Sequence, residues 1–231
     1  MTLLSEGEMA VRGRLPWSSN ASFVVELCLG DEKARAVYKP LRGERPLWDY
    51  PPGLYRREVA AYLVSEWLGW ALVPETVERD GPLGPGSVQR FVDADFDEHY
   101  FTLLERPEHH PRLKAICAFD LLVNNGDRKA GHCLVAGEGS QRRVWAIDHG
   151  LCLHAHPKLR TVMWDFEGQP VPPELMEAIT RMALLTAAPA PLAPFLSGEE
   201  AEALVARAAY LVRHPVFPPA RSARSFPWPL I

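Results

Sequence analysis

Residues 124–150 read NNGDRKAGHCLVAGEGSQRRVWAIDHG, with two acidic turns, Asn125-Gly-Asp127 and Asp148-His-Gly150, standing at either end. Between them Cys133–Ala136 and Arg143–Ile147 are short β-like runs joined through Gly137-Glu-Gly-Ser140, which is hairpin chemistry. A hairpin brings its flanks together, so Asp127 and Asp148 are expected side by side. Two carboxylates held close repel unless a cation lies between them or one is protonated, so the pair suits a divalent metal or acid–base work. Asn125 and His132 are candidate further ligands. Either turn alone is ordinary turn chemistry, and the weight of the reading rests on what accompanies the pair.

Upstream, Leu113, Ile116, Cys117 and Leu121 follow helical spacing over Arg112–Val123, with Phe119 and Leu122 widening the stripe and Asp120 interrupting it. Downstream, helices are expected over Pro173–Ala187 and Ser197–Arg213, the second opened by Ser197 with Glu200 three residues on, a capping box. Five prolines, Pro215, Pro218, Pro219, Pro227 and Pro229, make the tail extended. Toward the N-terminus, Ser22–Leu29 and Ala34–Tyr38 read as strands joined by Gly30-Asp-Glu-Lys33. The stretch Leu15–Ser22 before them is turn-rich, and its N–H groups could face an anion. A Pro-rich connector, Pro40–Pro52, leads to a helix over Tyr55–Trp70, in which Val59, Leu63 and Trp67 recur every fourth residue. A Gly/Pro loop at Gly81–Gly86 precedes a strand over Ser87–Val92. The expected organisation is an N-terminal lobe over 1–92, a mostly helical lobe over 93–214 and a tail over 215–231.

Composition narrows the classes. With 25 Lys plus Arg against 29 Asp plus Glu the formal net charge is −4, so an electrostatic nucleic-acid binder is not the reading. The 47% hydrophobic and 23% charged content belongs to a folded chain. No stretch of about 18 apolar residues offers a membrane span, and Met1–Val11 lacks the basic and apolar regions of a secretory signal, which points to the cytoplasm. Cys28, Cys117, Cys133 and Cys152 have no C-x-x-C spacing and read as small core residues.

Lys39 ends an apolar strand, where its ammonium needs an anionic partner, and Glu58 near the start of the first helix is the candidate. Read singly, Lys39 could snorkel and Glu58 could favour a helix N-terminus. Read together with the Ser18-Ser19-Asn20 turn and the two aspartates, they are the parts of a nucleotide phosphotransferase: phosphate cradle, phosphate lysine, orienting glutamate, catalytic acid and metal acid.

Over residues 12–153 these parts resemble the phosphatidylinositol 3/4-kinase-like branch of the protein-kinase fold, most closely its type II 4-kinase members, with HipA-type kinases more distant. Ser18–Phe23 resembles the phosphate loop, Val37-Tyr-Lys-Pro40 the lysine strand, Glu58–Val64 through Val73-Pro74 the helix and the strand entry after it, and Gly86–Val92 the hinge strand. Asn125-Gly-Asp-Arg128 is similar to the catalytic loop and Ala146-Ile-Asp-His-Gly150 to the metal-binding turn. The resemblance implies a two-lobed α+β kinase fold using ATP with Mg2+ or Mn2+ on an unknown hydroxyl acceptor. Asp127 would be the catalytic aspartate and Asp148 a metal ligand. Arg128 would hold the loop or neutralise developing charge. Ser18, Ser19, Asn20, Lys39 and Glu58 would serve the phosphates, and Gln89, Phe91 and Val92 the adenine.

Two features depart from that pattern. His132 stands where the larger family has a metal-binding Asn. Imidazole is a poor magnesium ligand and a better one for manganese, so the second metal position changes character, a trait shared with a small actinobacterial group of kinase-like proteins. The connector Leu41–Tyr55 lacks the cysteines of the lipid kinases' palmitoylated insertion, so a lipid acceptor has no support in the sequence. Trp48 and Tyr50 within it are expected to pack locally. The alternatives are a non-catalytic nucleotide-binding regulator, a nucleotidyl transferase, and a metal-dependent phosphohydrolase built from the remaining histidines. The last leaves Lys39 and Glu58 without a role.

Overall fold

A computed structural model describes residues 3–16, 20–139 and 142–231. After a single-turn helix α1 (Leu3–Glu6), three antiparallel strands follow: β1 (Glu8–Arg14), β2 (Phe23–Leu29) and β3 (Glu32–Pro40). The turn between β2 and β3 is Gly30-Asp31, with Gly30 at φ 60°, a conformation glycine adopts without steric cost. Helix α2 (Leu54–Leu68) comes next, stopped by Gly69 at φ 73°. Then β4 (Thr76–Gly81) and β5 (Gly84–Arg90) complete a five-stranded sheet of order β1-β2-β3-β5-β4. The sequence reading did not foresee β1, and met β4 only as the strand entry that the resemblance implied after Val73-Pro74. Both are edge strands, β1 almost entirely exposed and β4 reading TVERDG, so neither carries the alternation that marks a half-buried strand.

Residues of β3 alternate between faces. Ala36 and Tyr38 enter a small core with Leu4, Val25, Leu27 and Val88, which leaves Lys39 on the other face. Gly86, opposite this end of β3, is forced by space: a Cβ there would lie 2.5 Å from the Lys39 carbonyl oxygen.

The remaining elements are β6 (Ala94–Asp95), α3 (Tyr100–Leu104), α4 (His110–Val123), β7 (Cys133–Ala136), β8 (Arg143–Ala146), α5 (Pro173–Ala183) and α6 (Gly198–Arg213). The second sheet is β6-β7-β8, with Cys133 opposite Ala146 in the hairpin. Helix α5 ends at Ala183 rather than Ala187. Helix α6 opens with the expected box: Ser197 Oγ accepts from Glu200 N–H at 3.2 Å while Glu200 Oε2 accepts from Ser197 N–H at 3.0 Å.

A large core joins α4, α5 and α6 to the apolar side of α2 through Ala60, Ala61, Val64 and Leu68. Helix α2, although it lies between β3 and β4 in sequence, is thus packed into the helical core. Cys117, Cys133 and Cys152 are buried and unbridged. Among the described residues no helix is long and apolar enough to cross a membrane.

The tail crosses the helical lobe instead of leaving it. Phe217 is buried, the Ser225 carbonyl accepts from Thr161 N–H at 3.0 Å, and the Leu230 carbonyl accepts from Ala130 N–H at 2.8 Å, within the loop that follows Asp127.

Candidate functional site

Lys39, brought in by β3, meets Glu58 from the second turn of α2 and Asp148 from the turn after β8. Its Nζ donates to Glu58 Oε1 and, at 2.9 Å, to Asp148 Oδ1. The other oxygen of Glu58 accepts from His149 N–H at 3.0 Å, so one buried carboxylate fixes both the lysine and the turn that carries Asp148. Burial pulls the Lys39 amine down, yet Asp148 and Glu58 outweigh it and hold it above its ordinary range. Burial pushes Asp148 up, but Lys39 and His132 more than reverse this and keep it well below the usual carboxylate range. Asp148 thus stays ionised, with its side chain 48% exposed to the cleft and its backbone at φ 59°, which aspartate tolerates better than most residues.

Asp127 lies in the loop after α4. Its N–H donates to Asn125 Oδ1 at 3.0 Å, and Lys129 Nζ lies 3.2 Å from its Oδ2. Burial raises its carboxyl above the ordinary value, with Lys129 pulling the other way. Asn125 is turned inward, its Nδ2 donating to Asp120 Oδ1 at 2.9 Å, so both ends of its amide are engaged within the protein.

Arg128 is wholly buried. It forms a two-pronged ion pair with Asp120, Nε to Oδ2 at 2.8 Å and Nη2 to Oδ1 at 2.9 Å, and donates to the Ile147 carbonyl at 2.8 Å. Its Nη2 also lies 2.7 Å from His149 Nε2. These bonds tie α4, the Asp127 loop and the Asp148 turn into one block. The placement matches the loop-holding role considered for Arg128: the guanidinium has no solvent exposure and its donors are turned to the protein. Asp120, which looked like an interruption in an apolar helix, is the partner that makes this arginine buriable, and an acid inside an apolar stripe with an arginine eight residues on was the signal.

His132 sits beside Asp148, its Nε2 3.3 Å from Oδ2. Its Nδ1 accepts from Lys129 N–H at 3.3 Å, which leaves the ring proton on Nε2. Burial pushes the ring down to about 4, so it is neutral near pH 7. The ring thus stands beside the metal-ligand candidate, in reach of the same cation, its Nδ1 already taken by a backbone N–H. Asp148 does fit a hard cation. Among the described residues no three His, Cys, Asp or Glu side chains converge on one point, and magnesium commonly takes one or two carboxylates with phosphate oxygens and water.

Lys39, Glu58, Asp127 and Asp148 line a single cleft of about 270 Å³ together with Asn20, Glu44, Arg45, Tyr55 and Gly150. Ser18 and Ser19 lie outside the described residues. Asn20 is at the cleft, its Oδ1 accepting from Arg45 N–H at 2.9 Å. Gln89, Phe91 and Val92 do not line this cavity. The Gln89 amide donates to Thr76 Oγ1 at 2.8 Å, and the Arg35 guanidinium stacks 4.4 Å from the Phe91 ring centre. Glu44 was missed because it acts only through the fold: its carboxylate accepts from Gly53 and Tyr55 N–H, each at 2.8 Å, capping α2. Of the two connector aromatics, Tyr50 packs inward as expected and Trp48 stands 95% exposed.

No family model matches the sequence. Among solved structures the Golgi casein kinase matches at a TM-score of 0.54 with 15% identity, covering 91% of this chain and 73% of that one. A hydra Fam20 solved with sugar matches at 0.55 with 14% identity, covering 92% and 86%. These likenesses establish an α+β kinase-like fold. In sequence, Protein Rv2133c of Mycobacterium tuberculosis is 40% identical over an alignment of 265 residues that spans 98% of this chain and 94% of that protein. With that identity along nearly the whole of both chains, the chain belongs to the family of Protein Rv2133c.

Proposed function

We propose that the chain is an ATP-dependent phosphotransferase acting on a hydroxyl acceptor. The observation that carries this reading is the meeting of Lys39, Glu58, Asp127 and Asp148 in one cleft, from four separate elements, with Lys39 bonded to both Glu58 and Asp148. Lys39, kept cationic and aimed by Glu58, would leave Asp148 for the phosphate oxygens when the nucleotide enters. Asp148 would hold a divalent cation, which when bound neutralises charge on the phosphates. Asp127, lining the same cleft, would accept a hydrogen bond from the acceptor hydroxyl and take up its proton as the new bond forms. Arg128 and Asp120 keep the two aspartates in register without touching either substrate. The motif order adds the finer placement beside the phosphatidylinositol 3/4-kinase-like branch. The kinase-like fold supports the general class and leaves the acceptor open.

One observation favours a second reading, a nucleotide-binding regulator without transfer: a neutral His132, a poor magnesium ligand, stands 3.3 Å from Asp148 where a second metal ligand would stand. A thermal-melt titration with AMP-PNP, in magnesium and separately in manganese, tests nucleotide binding on the native protein and on Asp148→Asn. At about 100 times Kd one-site binding adds roughly 2.7 kcal/mol, about 5 to 11 °C for a chain of this size. A metal-dependent rise lost in Asp148→Asn is expected. No rise with either metal at several millimolar would refute the proposal. Transfer of label from γ-labelled ATP that Asp127→Asn abolishes would exclude the regulator.

A further inference from the structure

Arg45 lines the same cleft as Lys39, Asp127 and Asp148, in the connector between β3 and α2. Two backbone fixings lay that connector against the turn before β2: Arg45 N–H donates to Asn20 Oδ1 at 2.9 Å, and Ala21 N–H donates to the Gly43 carbonyl at 2.8 Å. The approach is close enough that a Cβ on Gly43 would stand 2.6 Å from the Ala21 carbonyl oxygen. The Arg45 backbone is therefore held at the cleft. Its guanidinium is exposed and has no carboxylate, hydrogen-bond or ring partner among the described residues.

Around it the charges of the cleft are otherwise committed. Glu44 caps α2, Glu58 and Asp148 share Lys39, and Asp127 faces Lys129. Carboxylates thus outnumber the cations lining the cleft, and Lys39 and Arg45 are the basic side chains among the residues that line it. A nucleoside triphosphate brings several more negative charges. A planar guanidinium with five donors and no competing acid matches paired phosphate oxygens.

We infer that Arg45 is a second phosphate-binding residue of this cleft, engaging the terminal phosphate of the nucleotide from the connector. The inference rests on the nucleotide reading above and extends it to a residue outside the motifs that led there.

Calorimetric titration of AMP-PNP, ADP and AMP, with magnesium, into the full chain and into Arg45→Ala and Arg45→Lys tests it. Arg45 is exposed, so both variants are expected to fold. Arg45→Ala should raise the Kd for AMP-PNP about tenfold or more, raise that for ADP less and leave AMP unchanged, with Arg45→Lys intermediate. A wild-type chain that binds AMP-PNP while Arg45→Ala binds it equally well overturns the role of Arg45 and leaves the nucleotide reading standing. Equal weakening for all three nucleotides also overturns it, since that marks general damage to the pocket. Failure of the wild-type chain to bind any of the three overturns both.

Discussion

Replacing Asp120 by alanine should cost the fold more than any change at the mouth of the cleft. Its carboxylate has no solvent exposure and accepts three bonds, from Arg128 Nε at 2.8 Å, Arg128 Nη2 at 2.9 Å and Asn125 Nδ2 at 2.9 Å. Without it a buried guanidinium keeps only neutral acceptors, among them the Ile147 and His132 carbonyls. Breaking a buried pair on one side costs about 3–5 kcal/mol, a large part of the roughly 5–15 kcal/mol that holds a domain together. At about 2–4 °C per kcal/mol the melting temperature should fall by roughly 6–20 °C. Asp120→Asn, which keeps an acceptor oxygen and loses the charge, should fall between the two. The apolar double variant Asp120→Leu with Arg128→Met should recover part of the loss, because no charge is left stranded. Urea unfolding followed by tryptophan fluorescence reads these as shifts in midpoint at constant slope. A loss below about 1 kcal/mol for Asp120→Ala would refute the claim that this pair locks the loop of Asp127 to the turn of Asp148.

Two further predictions concern the helical lobe. Burial pushes the Glu200 carboxyl up, but its bonds with Ser197 and Arg57 outweigh this and hold it below its ordinary 4.5. The folded state therefore binds fewer protons here than the unfolded chain, so the contribution is present above about pH 4.5 and fades as pH falls through the folded value. The gap in urea midpoint between wild type and Glu200→Gln should accordingly be full near pH 6 and shrink progressively as the pH falls below 4.5; a gap that stays constant would sink this assignment. Removing residues 222–231 deletes the carbonyls of Ser225 and Leu230 from Thr161 and Ala130. Hydrogen exchange at those two amides should then speed up at least tenfold while mid-α6 amides keep their rates, and unchanged protection at Ala130 would mean the tail does not brace the loop after Asp127.

Residues with local signatures were legible in the chain. Asp127 and Asp148 follow from turn chemistry at the two ends of a hairpin, α4 and α6 from helical spacing and a capping box, and Lys39 from an ammonium ending an apolar strand. Each depends on neighbours a few positions away, which is the range over which backbone geometry imposes a period. The edge strand β1 escaped because solvent on most of its surface leaves no alternation to read, and β4 came only through the resemblance and not from its own pattern.

Only the tertiary structure decided what those residues do to one another. It brought Lys39 to a carboxylate 109 positions away, set a buried His132 3.3 Å from Asp148, and carried the tail back over the loop it follows in sequence by about a hundred residues. It also made Arg128 a buried brace. An arginine in a turn reads as a surface residue, because burying its charge is unfavourable unless a carboxylate is waiting. That carboxylate, Asp120, comes from the preceding helix and counts as a defect in its apolar stripe until the two are seen to meet. Sequence therefore determined which charged groups exist and on which elements. Which of them are desolvated, paired and silent, and which, like Arg45, are left free in the cleft, was determined by packing, since the cost of a charge depends on everything that surrounds it.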